Sequence, residues 1–381
     1  MVGNDKANDS YRFLYLPNSY VTGANGYNFG VNVTTKLPGI AEGKIGNPLI
    51  TWETSYKQNY GVDMSFLKNK LALSMDVFFE HREGILASKK RDPGFLAMNL
   101  PVLNLGVVDN KGTELTLKWR DKIGKLDYYV NLNASYTKNT IVFQDEVLSP
   151  YDYQWRTGKS VGLNYGKKFI GFYYDGMTDN GNPIAKHAGT LMPGDAVYRD
   201  LSGDGLIDAN DDAAMGYPNY PSLNGGLTLG VNYKGFSFST LWVGATMTSR
   251  LLEETFRTPL GGTGNRSLMQ SQYDNRWTPE TAATATLPRP SFAAVANNYD
   301  FNSDLWLKDA SYVRLKTIEI SKTLQIPFFK KMGISQLRVF GNAYNVLTFD
   351  FLKIADPETQ TSSRPTYPTM RIMNVGLNAS F

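Results

Sequence analysis

The sequence predicts an all-β chain, an antiparallel transmembrane β-barrel segment of about ten strands with long extracellular loops. Apolar and polar residues alternate with a period of two over about ten stretches of roughly 8–13 residues, the length of a tilted bilayer-crossing strand. Short and long connections alternate strictly between those stretches. Aromatic residues stand beside the short connections, as at a membrane interface.

The first stretch, 27–36, places Tyr27, Phe29, Val31 and Val33 on one side. Tyr60, Val62, Met64 and Phe66 lead into a tight turn at 67–69, and Leu71, Leu73, Met75, Val77 and Phe79 return. Thr113, Leu115, Leu117 and Trp119 precede a turn at 121–125, followed by Tyr128, Val130, Leu132, Ala134 and Tyr136. Leu227, Leu229, Val231 and Tyr233 meet a two-residue turn at Lys234 and Gly235, and Phe236, Phe238, Thr240 and Trp242 come back. Further strands are predicted at 311–323 and 335–348. In the former the phase slips between Val313/Leu315 and Ile318/Ile320, which predicts a β-bulge near Lys316 and Thr317.

The final stretch, 371–381, alternates most cleanly. Met373, Val375, Leu377, Ala379 and Phe381 take one face, and Asn374, Gly376, Asn378 and Ser380 the other. A bilayer covers such an apolar edge, whereas water does not. The long connections fall at about 37–55, 82–110, 139–221, 248–310 and 349–370. With every short turn on one rim, Phe66, Trp119, Tyr233, Phe236 and Phe381 form a predicted membrane girdle at the periplasmic interface.

Composition narrows the function classes. A net charge of +4 over 381 residues offers no basic patch for nucleic acid. The chain has no cysteine, hence no thiolate metal site or thiol nucleophile, and its two histidines, His81 and His187, lack ligand spacing. No apolar run is long enough for a membrane helix, which says nothing against a barrel. No Ser/His/Asp set is arguable, Glu253 and Glu254 are merely adjacent, and the glycines at 261, 262 and 264 lack a following lysine, so no enzyme is predicted. The opening residues show no export signal, which leads to the expectation that the chain is the C-terminal part of a longer one, 1–381 forming barrel without plug or signal peptide.

One motif has chemistry of its own. Residues 200–211, DLSGDGLIDAND, place oxygen side chains at alternate positions with Gly205 at the sharp bend, as in a calcium loop. Expected ligands are Asp200, Ser202, Asp204, the Leu206 carbonyl and Asp211, with Asp208 placed to act through a water and Ile207 as an apolar anchor. Asp211 replaces the usual bidentate Glu, so the loop is nearer the dockerin type. The alternative is a solvated acidic turn. A bound Ca2+ would stiffen the long outer loop 139–221. Tyr151, Tyr153, Trp155, Tyr173, Tyr174, Tyr217 and Tyr220 are candidates for substrate or lid contact, against the plainer role of holding a long loop together.

Several segments together resemble a known family. GNPLITWE at 46–53, the run from Gly194 and Asp195 to Gly216–Asn219, YVRLK at 312–316, Gly333 to Val339, 342–348, and Tyr367–Thr369 resemble, in order and spacing, the barrel of SusC/RagA-type TonB-dependent transporters. The resemblance covers nearly the whole chain and implies roughly the last ten of about twenty-two strands. It also implies energised import of glycan oligosaccharides or peptides, with a SusD-like surface lipoprotein as lid, the TonB complex engaged through an N-terminal part, and outer-membrane lipid around the wall. Two other classes stay open on the residues alone: a passive outer-membrane pore or adhesin, and a secreted calcium-dependent glycan-binding β-protein.

Overall fold

Alternation makes strands only where neighbouring strands complete the hydrogen-bond ladder. A computed structural model describes residues 15–16, 20–30, 35–42, 45–90, 100–259, 267–291, 295–324, 327–328, 333–358 and 369–381. The chain divides into two units, one drawn from Met1–Asn59, Phe78–Lys111 and Lys138–Val161, the other from Tyr60–Val77, Gly112–Thr137 and Gly162–Phe381.

Among the described residues nine strands form one sheet: β1 Thr54–Phe66, β2 Leu71–Ser88, β3 Val102–Ile123, β4 Leu126–Phe143, β5 Leu223–Tyr233, β6 Phe236–Thr246, β7 Tyr312–Leu324, β8 Gln336–Asp350 and β9 Ile372–Ser380. Each strand neighbours the next in sequence, so the sheet is a simple meander. Among the described residues its two edges, β1 and β9, are unpaired. The strands run to 22 residues, longer than expected, because β2, β3 and β4 continue into stretches read as loop.

In the second unit, register confirms the two-faced pattern. Leu132, Leu227 and Trp242 stand in one row, and Val130, Leu229, Thr240 and Ile318 in the next. Beyond them Ile320, Gly341 and Val375 line up, and Ala343 faces Met373. The alternate rows carry Asn131 with Thr228, and Asn342 with Asn374, whose side-chain amides bond at 3.0 Å. Glycines on this polar face are roofed by rings from the next strand: a Cβ at Gly230 would strike Tyr129, and one at Gly376 would strike Phe340.

The turns follow from local chemistry. Lys234 and Gly235 both have positive φ (46° and 81°), the geometry of the primed hairpin turn that matches strand twist. Leu67, Lys68 and Asn69 all lie near φ +60°, which makes this turn the most strained of the set. The turn read at 121–125 is shorter, only Gly124 and Lys125 remaining between strands, because Asp121 pairs with Lys70 at 2.7 Å and the Arg120 amide donates to the Lys70 carbonyl. The predicted bulge is present: the register slips between Leu315 and Thr317 against both β6 and β8.

The first predicted strand is a correction. In the first unit, Tyr20–Phe29 and Thr35–Glu42 form a separate antiparallel hairpin, with Tyr27 opposite Leu37. Gly30, at φ +95°, turns the chain where the alternation suggested continuation. Val31 and Val33 lie outside the described residues. Among the described residues the meander therefore holds nine strands rather than ten.

The apolar core lies among the loops. Ala196, Tyr198, Ile207, Leu252, Tyr299, Leu305, Trp306 and Leu352 are buried together, all from connections predicted to be loop. The second unit's long connections thus build a cap with its own packed interior, while the greasy side chains of its sheet remain uncovered.

Candidate functional site

The cap is pinned by a buried polar lattice joining 162–222 to 248–310. Asp195, 1% exposed, receives the Arg289 guanidinium through Nε at 2.7 Å and Nη2 at 3.3 Å, and the Asn298 amide at 2.9 Å. Asn298 in turn accepts from the Ala196 amide at 2.8 Å, and its carbonyl accepts from the Trp306 indole at 2.9 Å. The Tyr198 hydroxyl donates to the Asn297 carbonyl at 2.6 Å. Burial raises the pKa of the Tyr198 and Tyr299 phenols well above the ordinary range, so both stay neutral donors. Gly194, at φ +89°, lies flat beneath the Trp277 ring, which leaves no room for a side chain.

His187 sits inside this lattice as a neutral hinge pin. One ring nitrogen, Nε2, accepts from the Tyr198 amide at 2.9 Å, and Nδ1 lies 2.8 Å from the Ala185 carbonyl, which fixes the tautomer. Burial lowers its pKa more than the Ala185 carbonyl and the Asp211 charge raise it.

The acidic loop is closed mainly by its own amides. Asp200 Oδ1 accepts from Gly203 N at 2.6 Å and Ser202 Oγ at 3.1 Å, and Oδ2 from Gly205 N at 2.8 Å. Partial burial pushes the Asp200 carboxyl up, but the Gly205 and Gly203 amides outweigh it and hold the pKa below the usual carboxylate value. Asp204 accepts from the Leu206 amide at 2.8 Å. Asp211, fully buried, accepts from the amides of Leu201 and Ser202 with Oδ1 and of Asp208 with Oδ2. Ile207 is buried in the cap core as expected, and the Lys167 ammonium bonds the Asp208 carbonyl and Asp212. Among the described residues no three acidic or histidine side chains gather at metal-binding distance. The loop is thus formed, with Asp200 and Asp204 bonded to amides of the loop itself and Asp211 committed to closing it.

The aromatic candidates fall in both units. In the first unit Tyr151 and Tyr153 stack with ring centres 5.4 Å apart, and the Trp155 indole donates to the Ser149 carbonyl. In the second, Tyr174, Tyr217 and Tyr220 are exposed, Tyr173 is half-buried, and the Tyr220 ring lies against Gly162. Beside the short turns, Tyr233 pairs with Phe236 on the apolar face; Phe66 and Phe381 are exposed and Trp119 is half-buried.

Several anchoring residues escaped sequence reasoning. Arg314, 2% exposed, binds Asp356 at 2.7 Å and Glu358 at 3.0 Å, tying the stretch around 356–358 to β7. Its signal was the YVRLK motif, a cation in an apolar strand. Asn297 and Asn298, both buried, gave only the weaker signal of an Asn pair amid apolar loop residues.

Comparison with known proteins agrees with this architecture. The family model for the TonB dependent receptor-like β-barrel matches residues 7–205. TonB-dependent receptor P3 of Formosa agariphila is 27% identical over 91% of the chain, which covers 36% of that protein. TonB-dependent receptor SusC of Bacteroides thetaiotaomicron is 23% identical over 97% of the chain, again 36% of its own length. The solved RagAB peptide importer in its open-open state superposes with a TM-score of 0.72 at 19% identity, across the whole chain and 39% of the importer chain. The chain therefore spans little more than a third of the length of these relatives. With more than half of its residues matched by the family model, the chain belongs to the TonB-dependent receptor-like β-barrels of the outer membrane.

Proposed function

We propose that this chain supplies barrel wall and extracellular cap to a TonB-dependent outer-membrane importer of glycan oligosaccharides or peptides, working with a SusD-like surface lipoprotein. The observation that carries the reading is the pairing of an uncovered apolar sheet face with a cap that has its own core. A wall in lipid needs the first. A surface that a lid can close on repeatedly needs the second, because a loop that reorders at each encounter binds weakly. The names of the similar proteins, SusC and a peptide importer, support import of nutrients too large for simple pores. In this reading Phe66, Trp119, Tyr233, Phe236 and Phe381 anchor the periplasmic rim, and the exposed aromatics of the loops meet solute or lid. The matched family model is that of a TonB dependent receptor-like β-barrel, and no reaction is assigned.

The acidic loop is proposed to take a structural calcium ion through Asp200, Ser202, Asp204 and the Leu206 carbonyl. Asp211 closes the loop from behind.

Uptake of candidate oligosaccharides and peptides by cells expressing the full-length protein tests the import reading. Uptake that depends on TonB and on the lipoprotein supports it. Uptake indifferent to both would establish a passive pore instead.

A further inference from the structure

Two buried cations of the second unit and one half-buried one are matched by acids: Lys167 by Asp212 at 2.6 Å, Arg314 by Asp356 at 2.7 Å, and the half-buried Arg289 by Asp195 at 2.7 Å. Arg250 and Lys308 break this pattern. They stand directly opposite each other in the ribbon formed by Ser249–Leu251 and Leu307–Asp309, so both side chains leave the same side of it. Leu251 packs toward the cap core, and alternation turns the two cations to the other side.

Both residues are half-buried, and burial lowers the pKa of each, the mark of a charge partly stripped of water. Neither makes an ion pair with an acid among the described residues. Arg250 Nη1 bonds the Asn219 carbonyl, and its Nε is buried without an acceptor. The acid that acts on Lys308 is Asp304, already held by Lys168 at 2.6 Å. Partly dried cations without a full counter-charge are unfavourable. A bridging carboxylate relieves this, one oxygen meeting the guanidinium fork and the other the ammonium. Tyr220, 63% exposed, stands near Arg250.

We infer that Arg250 and Lys308 form a seat for a carboxylate group of the solute, whether a peptide C-terminus or a uronic acid. This inference rests on the import reading for its biological ligand, and its test is independent of transport. The full-length transporter, purified with its lipoprotein, is treated with an amine-acetylating reagent, and modification of Lys308 is followed by mass spectrometry. Trialanine, trialanine amide, galacturonic acid and galactose serve as probes.

Slower acetylation of Lys308 with trialanine or galacturonic acid, but not with trialanine amide or galactose, supports the seat, and the protecting acid identifies the source. The Arg250→Gln variant should raise the half-protecting concentration about tenfold, the loss of one charge-assisted pair. Arg250→Lys, which keeps the charge and loses the fork, should fall between. Equal labelling with acids and neutral probes overturns the seat, even if TonB-dependent uptake stands. Protection without any TonB-dependent uptake would keep the seat and overturn the import reading.

Discussion

Arg289 and Asp195, 94 residues apart in sequence, meet as a two-bond ion pair inside the cap, with Asp195 almost completely buried. This contact makes the long connections a folded body rather than independent loops.

Asp195→Ala removes one partner and strands the other. Breaking a buried pair typically costs about 3–5 kcal/mol, and here that cost falls on the cap alone. Limited proteolysis should cut within 162–222 and 248–310 in the variant, while the sheet keeps its resistance to detergent. Unaltered resistance of the cap would show that the lattice is not what holds it.

His187 predicts a direction with pH. Its folded pKa is lowered from 6.5, so the unfolded cap binds the proton more readily. Cap stability is fully present above the ordinary imidazole pKa and is lost as pH falls through that value toward the folded one. Protonation would set an N–H against the Tyr198 amide. Hydrogen exchange of the cap amides should accelerate through this window in the wild type, and His187→Gln should flatten the profile. A wild-type profile without that step would show that the histidine is a bystander.

The calcium proposal predicts that Ca2+ slows proteolysis of the 200–211 loop and that Asp204→Ala abolishes this effect while the rest of the cap is unchanged. If chelation leaves the wild-type loop as resistant as before, the loop is closed by its own amides alone.

Arg314→Met should release the stretch around 356–358. Partial burial pushes the Asp356 carboxyl up, but its bonds to the Thr369 side chain and Arg314 hold it below the ordinary value. Losing the cation should return the Asp356 pKa upward, measurable by carboxyl NMR titration in the labelled full-length protein. An unmoved titration would mean that Thr369 and the backbone alone set the carboxyl.

Much of the wall was legible in sequence and much of the cap was not, for a physical reason. A strand such as β9 states its two faces residue by residue, because neighbours alternate sides; Val375 and Asn374 announce their environments directly. The bulge was readable for the same reason, since it shifts the phase by one at Lys316. Gly30 defeated the reading of 27–36 because a glycine fits either a strand interior or a turn. The cap depends on partners far apart: Asp195 gives no sign of Arg289, nor Tyr198 of Asn297. The acidic loop was read for its ligands, yet the commitment of Asp211 to three backbone amides appears only once the chain is folded.

The central claim is that lipid covers the apolar face of the sheet. The sequence contains no cysteine, so single cysteines can be placed at each position of Ile372–Ser380 without background from residues 1–381. Each carries an environment-sensitive fluorophore in liposomes and is challenged with lipid-soluble and aqueous quenchers. Labels at 373, 375, 377 and 379 should be quenched from the lipid and those at 374, 376 and 378 from water. Uniform quenching from water along the strand, or protection from both quenchers at the apolar positions, would contradict the claim.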